Sequence, residues 1–112
     1  LWGSSYSASL VLKIAKGNRK VAAVIAFSPG EYIEGFSLQK AIAGQWEQKI
    51  FIASSRSEAE TVTKLMKDVR GLKKTQFIPQ REGVHGSRAL WAGNRNSQEY
   101  WLNLKVFLNG LK

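Results

Sequence analysis

The chain is predicted to be an α/β domain, a mostly parallel sheet flanked by helices. Three features of its 112 residues carry that expectation. Short strand-like runs lie at 21–27, 49–53 and 74–78, each closed by turn residues, as strands buried on both faces are. Segments with helical spacing of apolar residues separate them, and strands alternating with helices imply parallel pairing with right-handed crossovers. The opening, Gly3-Ser4-Ser5-Tyr6-Ser7, reads as a strand end, a sharp turn and a helix start.

The elements follow in order. Leu1-Trp2 supplies the last residues of the strand before that turn. Residues 6–16 form a helix in which Leu10, Val11 and Ile14 recur at helical spacing, with Gly17 as its stop. The run Val21–Phe27 is apolar throughout and ends at Ser28-Pro29-Gly30; its alanines let helices pack closely. A loop over 30–36 carries Tyr32 and Phe36. Ser37 caps a short helix over 38–43, stopped by Gly44, and Lys49–Ala53 is a second buried strand. Ser57-Glu58-Ala59-Glu60 fits a capping box, Ser57 at the cap and Glu60 at the third helical position. The helix over 57–70 places Val62, Leu65, Met66 and Val69 on one face. The third strand ends at Pro79, and a long polar loop over 79–96 holds Gly83-Val84-His85-Gly86-Ser87 and Leu90-Trp91. Ser97 caps a last helix, 97–110, with Trp101, Leu104, Leu108 and Leu111 on one face. The expected total is three strands and about four helices in one domain, 1–112. The sheet then ends in an unpaired apolar edge beside Val21–Phe27, an aggregation hazard unless another chain or copy covers it.

Composition narrows the function. The 17 Lys and Arg against 8 Asp and Glu give a net charge of +9, enough to meet an anionic partner. The basic residues are scattered, however, and the closest pairs, Arg19-Lys20 and Lys73-Lys74, fall in turns before strands. With no arginine-rich helix and no RNA-binding aromatic signature, a solvated basic surface and no specific nucleic-acid site are expected. The chain has no Cys and a single His, His85. That excludes a disulfide framework, a thiolate metal site, a Cys nucleophile and multi-His metal centres. No metal or cofactor is expected. No apolar run reaches the length of a membrane span, and Leu1-Trp2-Gly3 has neither the basic nor the apolar region of a signal peptide. No membrane partner and a cytoplasmic location are expected. The first residue is not methionine, which suggests a start inside a longer gene product.

Right-handed crossovers put the loops after parallel strands on one edge of the sheet, where α/β ligand sites lie. Ser5, Glu58 and His85 each follow a strand end, so all three converge there. A Gly two before Ser5 and a small residue two after it suit a strained nucleophile turn, and the helix N-terminus behind it favours negative charge. A hydroxyl needs an adjacent base to attack a carbonyl. His85 suits that role, and an acid at Glu58 would hold its tautomer. The Tyr6 N–H is placed to stabilise an oxyanion. Each residue also has a plainer reading: Ser5 in a helix N-cap, Glu58 answering a helix dipole, His85 on a surface loop, and Tyr32 and Trp91 as packing.

The order nucleophile, acid, His matches that of α/β-hydrolases. On the elbow Gly3–Ser7, the acid strand and turn Phe51–Glu58 and the loop Gly83–Gly86, the sequence resembles the C-terminal part of an α/β-hydrolase, nearest the dienelactone-hydrolase-like serine hydrolases. The motifs span nearly the whole chain. It departs from that group in having Ser5 where the namesake enzymes have Cys, Ser7 where the elbow more often has Gly, and Ser55 and Glu58 where a Gly and an Asp are commoner. The resemblance implies hydrolysis of a small-molecule ester by Ser5, His85 and Glu58, with Tyr6 as one oxyanion donor and Tyr32 and Trp91 near the substrate. It also implies missing parts: earlier strands and the loop that supplies the second oxyanion donor, so that this stretch alone is weakly active or inactive. The competing expectation is a non-catalytic α/β module that binds a partner or an anion through its basic face.

Overall fold

Four strands form one parallel sheet: β1 (Trp2–Ser4), β2 (Ala23–Phe27), β4 (Lys49–Ala53) and β6 (Lys74–Phe77), in the order β1-β2-β4-β6. The structure is a computed structural model that describes residues 1–71 and 73–111. Helix α1 (Tyr6–Ala15) joins β1 to β2; α2 (Leu38–Ile42) lies between β2 and β4. Helix α3 (Ala59–Leu65) lies between β4 and β6, and α4 (Ser97–Asn109) ends the chain's regular structure. A 3₁₀ helix, Gly86–Leu90, interrupts the long loop. This is the α/β class expected from the sequence.

The two central strands, β2 and β4, are buried on both faces. Val24, Ala26, Ile50 and Ile52 share one core with Ala8, Leu12 and Ala15 of α1, Leu38 and Ile42 of α2, and Val62 and Leu65 of α3. Ile25, Phe27, Phe51, Ala53 and Phe77 point the other way, onto Tyr100 and Leu104 of α4. The period of two along each strand decides this split.

Several expectations are corrected. Residues 2–4 form a full partner for β2, with Trp2 opposite Ile25 and Ser4 opposite Phe27. The sheet therefore has four strands rather than three, and its open edge lies at β1, not beside Val21–Phe27. The helix expected over 57–70 stops at Leu65, because Val69–Arg70 (β5) turns aside to pair in parallel with Gly44–Gln45 (β3). The capping box does not form. The Ser57 N–H and hydroxyl both donate to Glu82 of the long loop, while Glu60 makes an exposed pair with Lys64. In α1 the buried face is Ala8, Leu12 and Ala15, and Ile14 is 55% exposed. The elbow fixes the rotation of this helix, and small side chains let it sit close on the sheet. In α4, whose cap position is Asn96 rather than Ser97, Tyr100 and Leu104 are buried whereas Leu108 and Leu111 reach solvent.

Candidate active site

The elbow is built from four small residues. Ser5 has φ 57° and ψ −119°, a left-handed conformation that costs a non-glycine residue free energy and persists only when its surroundings enforce it. Its N–H donates to Phe27 O at 2.8 Å, and its C=O accepts from Ala8 N–H at 3.0 Å. Gly3 is obligatory here, since a Cβ on it would stand 2.3 Å from Ser7 O. Ser7 uses its hydroxyl as a staple: Oγ accepts from Ser4 N–H at 2.8 Å and donates to Ser4 O at 2.9 Å. Its side chain thus closes the turn.

Two other loops reach this turn. The Nε2 atom of His85 lies 2.9 Å from Ser5 Oγ, and its Nδ1 is hydrogen-bonded to Glu58 Oε2. An ionised carboxylate only accepts, so Nδ1 carries the proton and Nε2 is left to accept from the Ser5 hydroxyl. The His85 loop is held from below. Gly86 N–H donates to Ser28 Oγ at 2.8 Å, and Ser87 N–H donates to Ser4 Oγ at 2.9 Å. Gly86 has φ 72°, and a Cβ there would press on Ser4 Oγ at 2.7 Å. Tyr100 supports the same loop from α4: its hydroxyl donates to Ser54 O at 2.7 Å, and Gly83 packs so tightly on that hydroxyl that no side chain fits between.

Glu58 is held at its other oxygen. Oε1 accepts from Ser28 Oγ at 2.8 Å, Ser55 N–H at 3.0 Å and Ser55 Oγ at 2.9 Å. Burial pushes the carboxyl up, but the bonds from His85, the Ser55 amide and the two hydroxyls outweigh it, and the group titrates below its ordinary value. Tyr32, on the loop after β2, donates its hydroxyl to Ser28 O at 3.0 Å and stands beside Ser5. Burial raises its phenol above the ordinary tyrosine value; the contact with Ser5 opposes this and the Glu58 charge adds to it. Tyr32 and Glu58 also line a cleft of about 240 Å³ with Pro29, Ser57 and Thr61.

The structure thus brings together Ser5, His85, Glu58 and Tyr32, with Tyr6 as the first residue of the helix behind the elbow, where N–H groups have no intrahelical partner. It does not bring in Trp91. That ring is 62% exposed and lies under the Arg88 guanidinium, and among the described residues it makes no hydrogen bond to Ser5, His85 or Glu58. No protein-family model, curated protein or solved structure matches the chain.

Sequence reasoning missed Ser28, Ser55 and Ser4. Ser28 is 1% exposed and, like Ser5, has φ 57°. Its only sequence signal was the Ser-Pro-Gly that closes β2, which marks a turn and says nothing of a hydroxyl shared between two loops. Chemically, the assembly holds a hydroxyl against a ring nitrogen whose other nitrogen is neutralised by a carboxylate. Such a chain moves a proton off the hydroxyl without leaving the imidazolium uncompensated.

Proposed function

We propose that this chain is the nucleophile-bearing part of a serine ester hydrolase of the α/β-hydrolase kind, nearest the dienelactone-hydrolase-like group. The observation that carries the reading is the continuous line from Ser5 Oγ, 2.9 Å from His85 Nε2, through the ring to Glu58, on an elbow whose nucleophile is the strained residue. In the reaction, Ser5 Oγ attacks the ester carbonyl carbon as its proton passes to Nε2. The carbonyl oxygen gains the negative charge, and the Tyr6 N–H donates to it. The carbon–oxygen bond to the alcohol then breaks, with the proton returning from Nε2 to the departing oxygen. Water repeats the cycle on the acyl–Ser5 ester. Tyr32 borders the substrate. Its hydroxyl is committed to Ser28 O, so the face of its ring is what a substrate meets. We further propose a cytoplasmic location, and that the open edge of β1 is paired by another strand in the working protein.

The test is labelling of the full-length protein with a fluorophosphonate and its turnover of an activated short-chain ester. Both are expected, and Ser5→Ala abolishes both. His85→Ala costs nearly as much because the three residues act as a unit. Glu58→Gln costs less. A folded full-length protein that is neither labelled nor active refutes the reading.

A further inference from the structure

The basic residues are scattered in sequence and gathered in space. Arg19 and Lys20 precede β2, Lys73 and Lys74 are at the start of β6, and Lys67 and Arg70 follow α3. Because β2, β4 and β6 are parallel, the turns before them share one edge of the sheet, the edge opposite Ser5. All six side chains are exposed, and none makes an ion pair among the described residues, where the pairs present are Lys64–Glu60 and His85–Glu58. The acids on this edge are Glu47 and Asp68; the other six of the chain lie elsewhere. Of the six cations, Lys74 also donates to Val69 O, and two further lysines belong to the edge and bind backbone, Lys16 to Gln45 O and Lys49 to Gly110 O. The Lys49 bond brings the last turn of α4 to the same edge, and with it Leu108 and Leu111, both more than a third exposed, one turn beyond the exposed Val106.

We propose that this amino edge docks peripherally on an anionic phospholipid bilayer and leaves the Ser5 edge facing water. It rests on charge and topology alone and holds whether or not the hydrolase reading does. No membrane span is needed for such contact, and among the described residues no helix is long and apolar enough to cross a membrane. Lipid fits better than nucleic acid on two counts. Among the described residues the edge offers no exposed ring for base stacking, since Trp46 is buried. The apolar residues of α4 have nothing to offer a phosphodiester backbone but suit the headgroup–acyl boundary. The depression of about 270 Å³ that Arg19 lines on this edge is also lined by Glu47, whose charge opposes a phosphate there. What remains is a diffuse positive face, the kind that anionic cytoplasmic leaflets attract, at about fivefold in partition per cation.

The experiment is co-sedimentation of the purified protein with vesicles of phosphatidylcholine alone or with about one-third phosphatidylserine. Binding is expected only to the anionic vesicles, falling at least about tenfold when salt is raised well above physiological strength. The triple variant Arg19→Glu/Lys20→Glu/Lys73→Glu is expected to lose at least about 100-fold. The control Lys40→Glu/Arg81→Glu/Arg95→Glu has the same net-charge change, and it keeps most of the binding. Circular dichroism of both variants separates lost docking from lost folding. Failure of the wild type to bind anionic vesicles overturns the proposal, as do equal losses in the two triple variants. An oligonucleotide that displaces the protein from vesicles at physiological salt transfers the edge to nucleic acid and overturns it too.

Discussion

The Ser28 hydroxyl gives a hydrogen bond to Glu58 and takes one from the Gly86 amide, each at 2.8 Å. One buried oxygen therefore ties the acid to the loop that carries His85. Hydrogen bonds to charged groups contribute about 1.5–3 kcal/mol, so losing this one is expected to lower kcat/KM by about 10- to 100-fold. Ser28→Gly is the informative variant. Glycine adopts φ 57° without strain, so the hydroxyl is removed while the turn is kept, and the expected readout is slower turnover together with a lower melting temperature, since the same buried bonds also support the fold. Glu58 gives a second expectation, with a definite sign. Its folded carboxyl titrates below the ordinary value of 4.5, so folding favours the ionised form. That contribution is complete above the unfolded value and fades as pH falls through the lower, folded one. The difference in melting temperature between wild type and Glu58→Gln should shrink in acid and level off once Glu58 is protonated in both the folded and the unfolded wild type. At this scale Ser5, Glu58 and His85 were legible because each follows a strand. Ser28 was not, because its two partners lie 30 and 58 residues away in the chain.

Among the elements, the strands were the most legible. The runs at 21–27, 49–53 and 74–78 differ from β2, β4 and β6 by no more than two residues at either end, since a short run closed by turn residues is a local property. Helix α3 was misread at both ends for a non-local reason. At its C-terminal side, Val69 keeps an apolar spacing that continues the helix on paper, yet it and Arg70 pair with Gly44 and Gln45. At its N-terminal side, the cap acid is Glu82, from the long loop, rather than Glu60. Glu82→Gln weakens the acceptor that serves both the Ser57 N–H and its hydroxyl. It is expected to destabilise the protein by about 1 kcal/mol, measured by urea unfolding, whereas Glu60→Gln should change stability by no more than a few tenths, as exposed pairs do. Because the same contact anchors the loop on the way to His85, Glu82→Gln should also slow fluorophosphonate labelling.

At the scale of the whole molecule, parallel topology sorts the chain into two unlike edges. One gathers strained serines, a carboxylate and an imidazole; the other gathers unpaired cations. Neither grouping is visible as a run in the sequence, because parallel strands return to the same edge only after a crossover. This is why the charge looked dispersed. The same topology sets an order in time. Ser5 and His85 are 80 residues apart, and the loop between them and α4 is clamped by Tyr100. During synthesis, at about 5–20 residues per second, the nucleophile emerges roughly 4–16 s before its base and acid are both present. The elbow is local and can form early, but an unassisted hydroxyl is inert. On the proposed hydrolase reading, the chain is chemically silent until His85 and Glu58 are both in place, and its reactivity switches on when α4 docks. Ribosome-stalled chains carrying the elbow but ending before residue 85 should resist fluorophosphonate, and chains extended well past residue 109, clear of the exit tunnel, should be labelled.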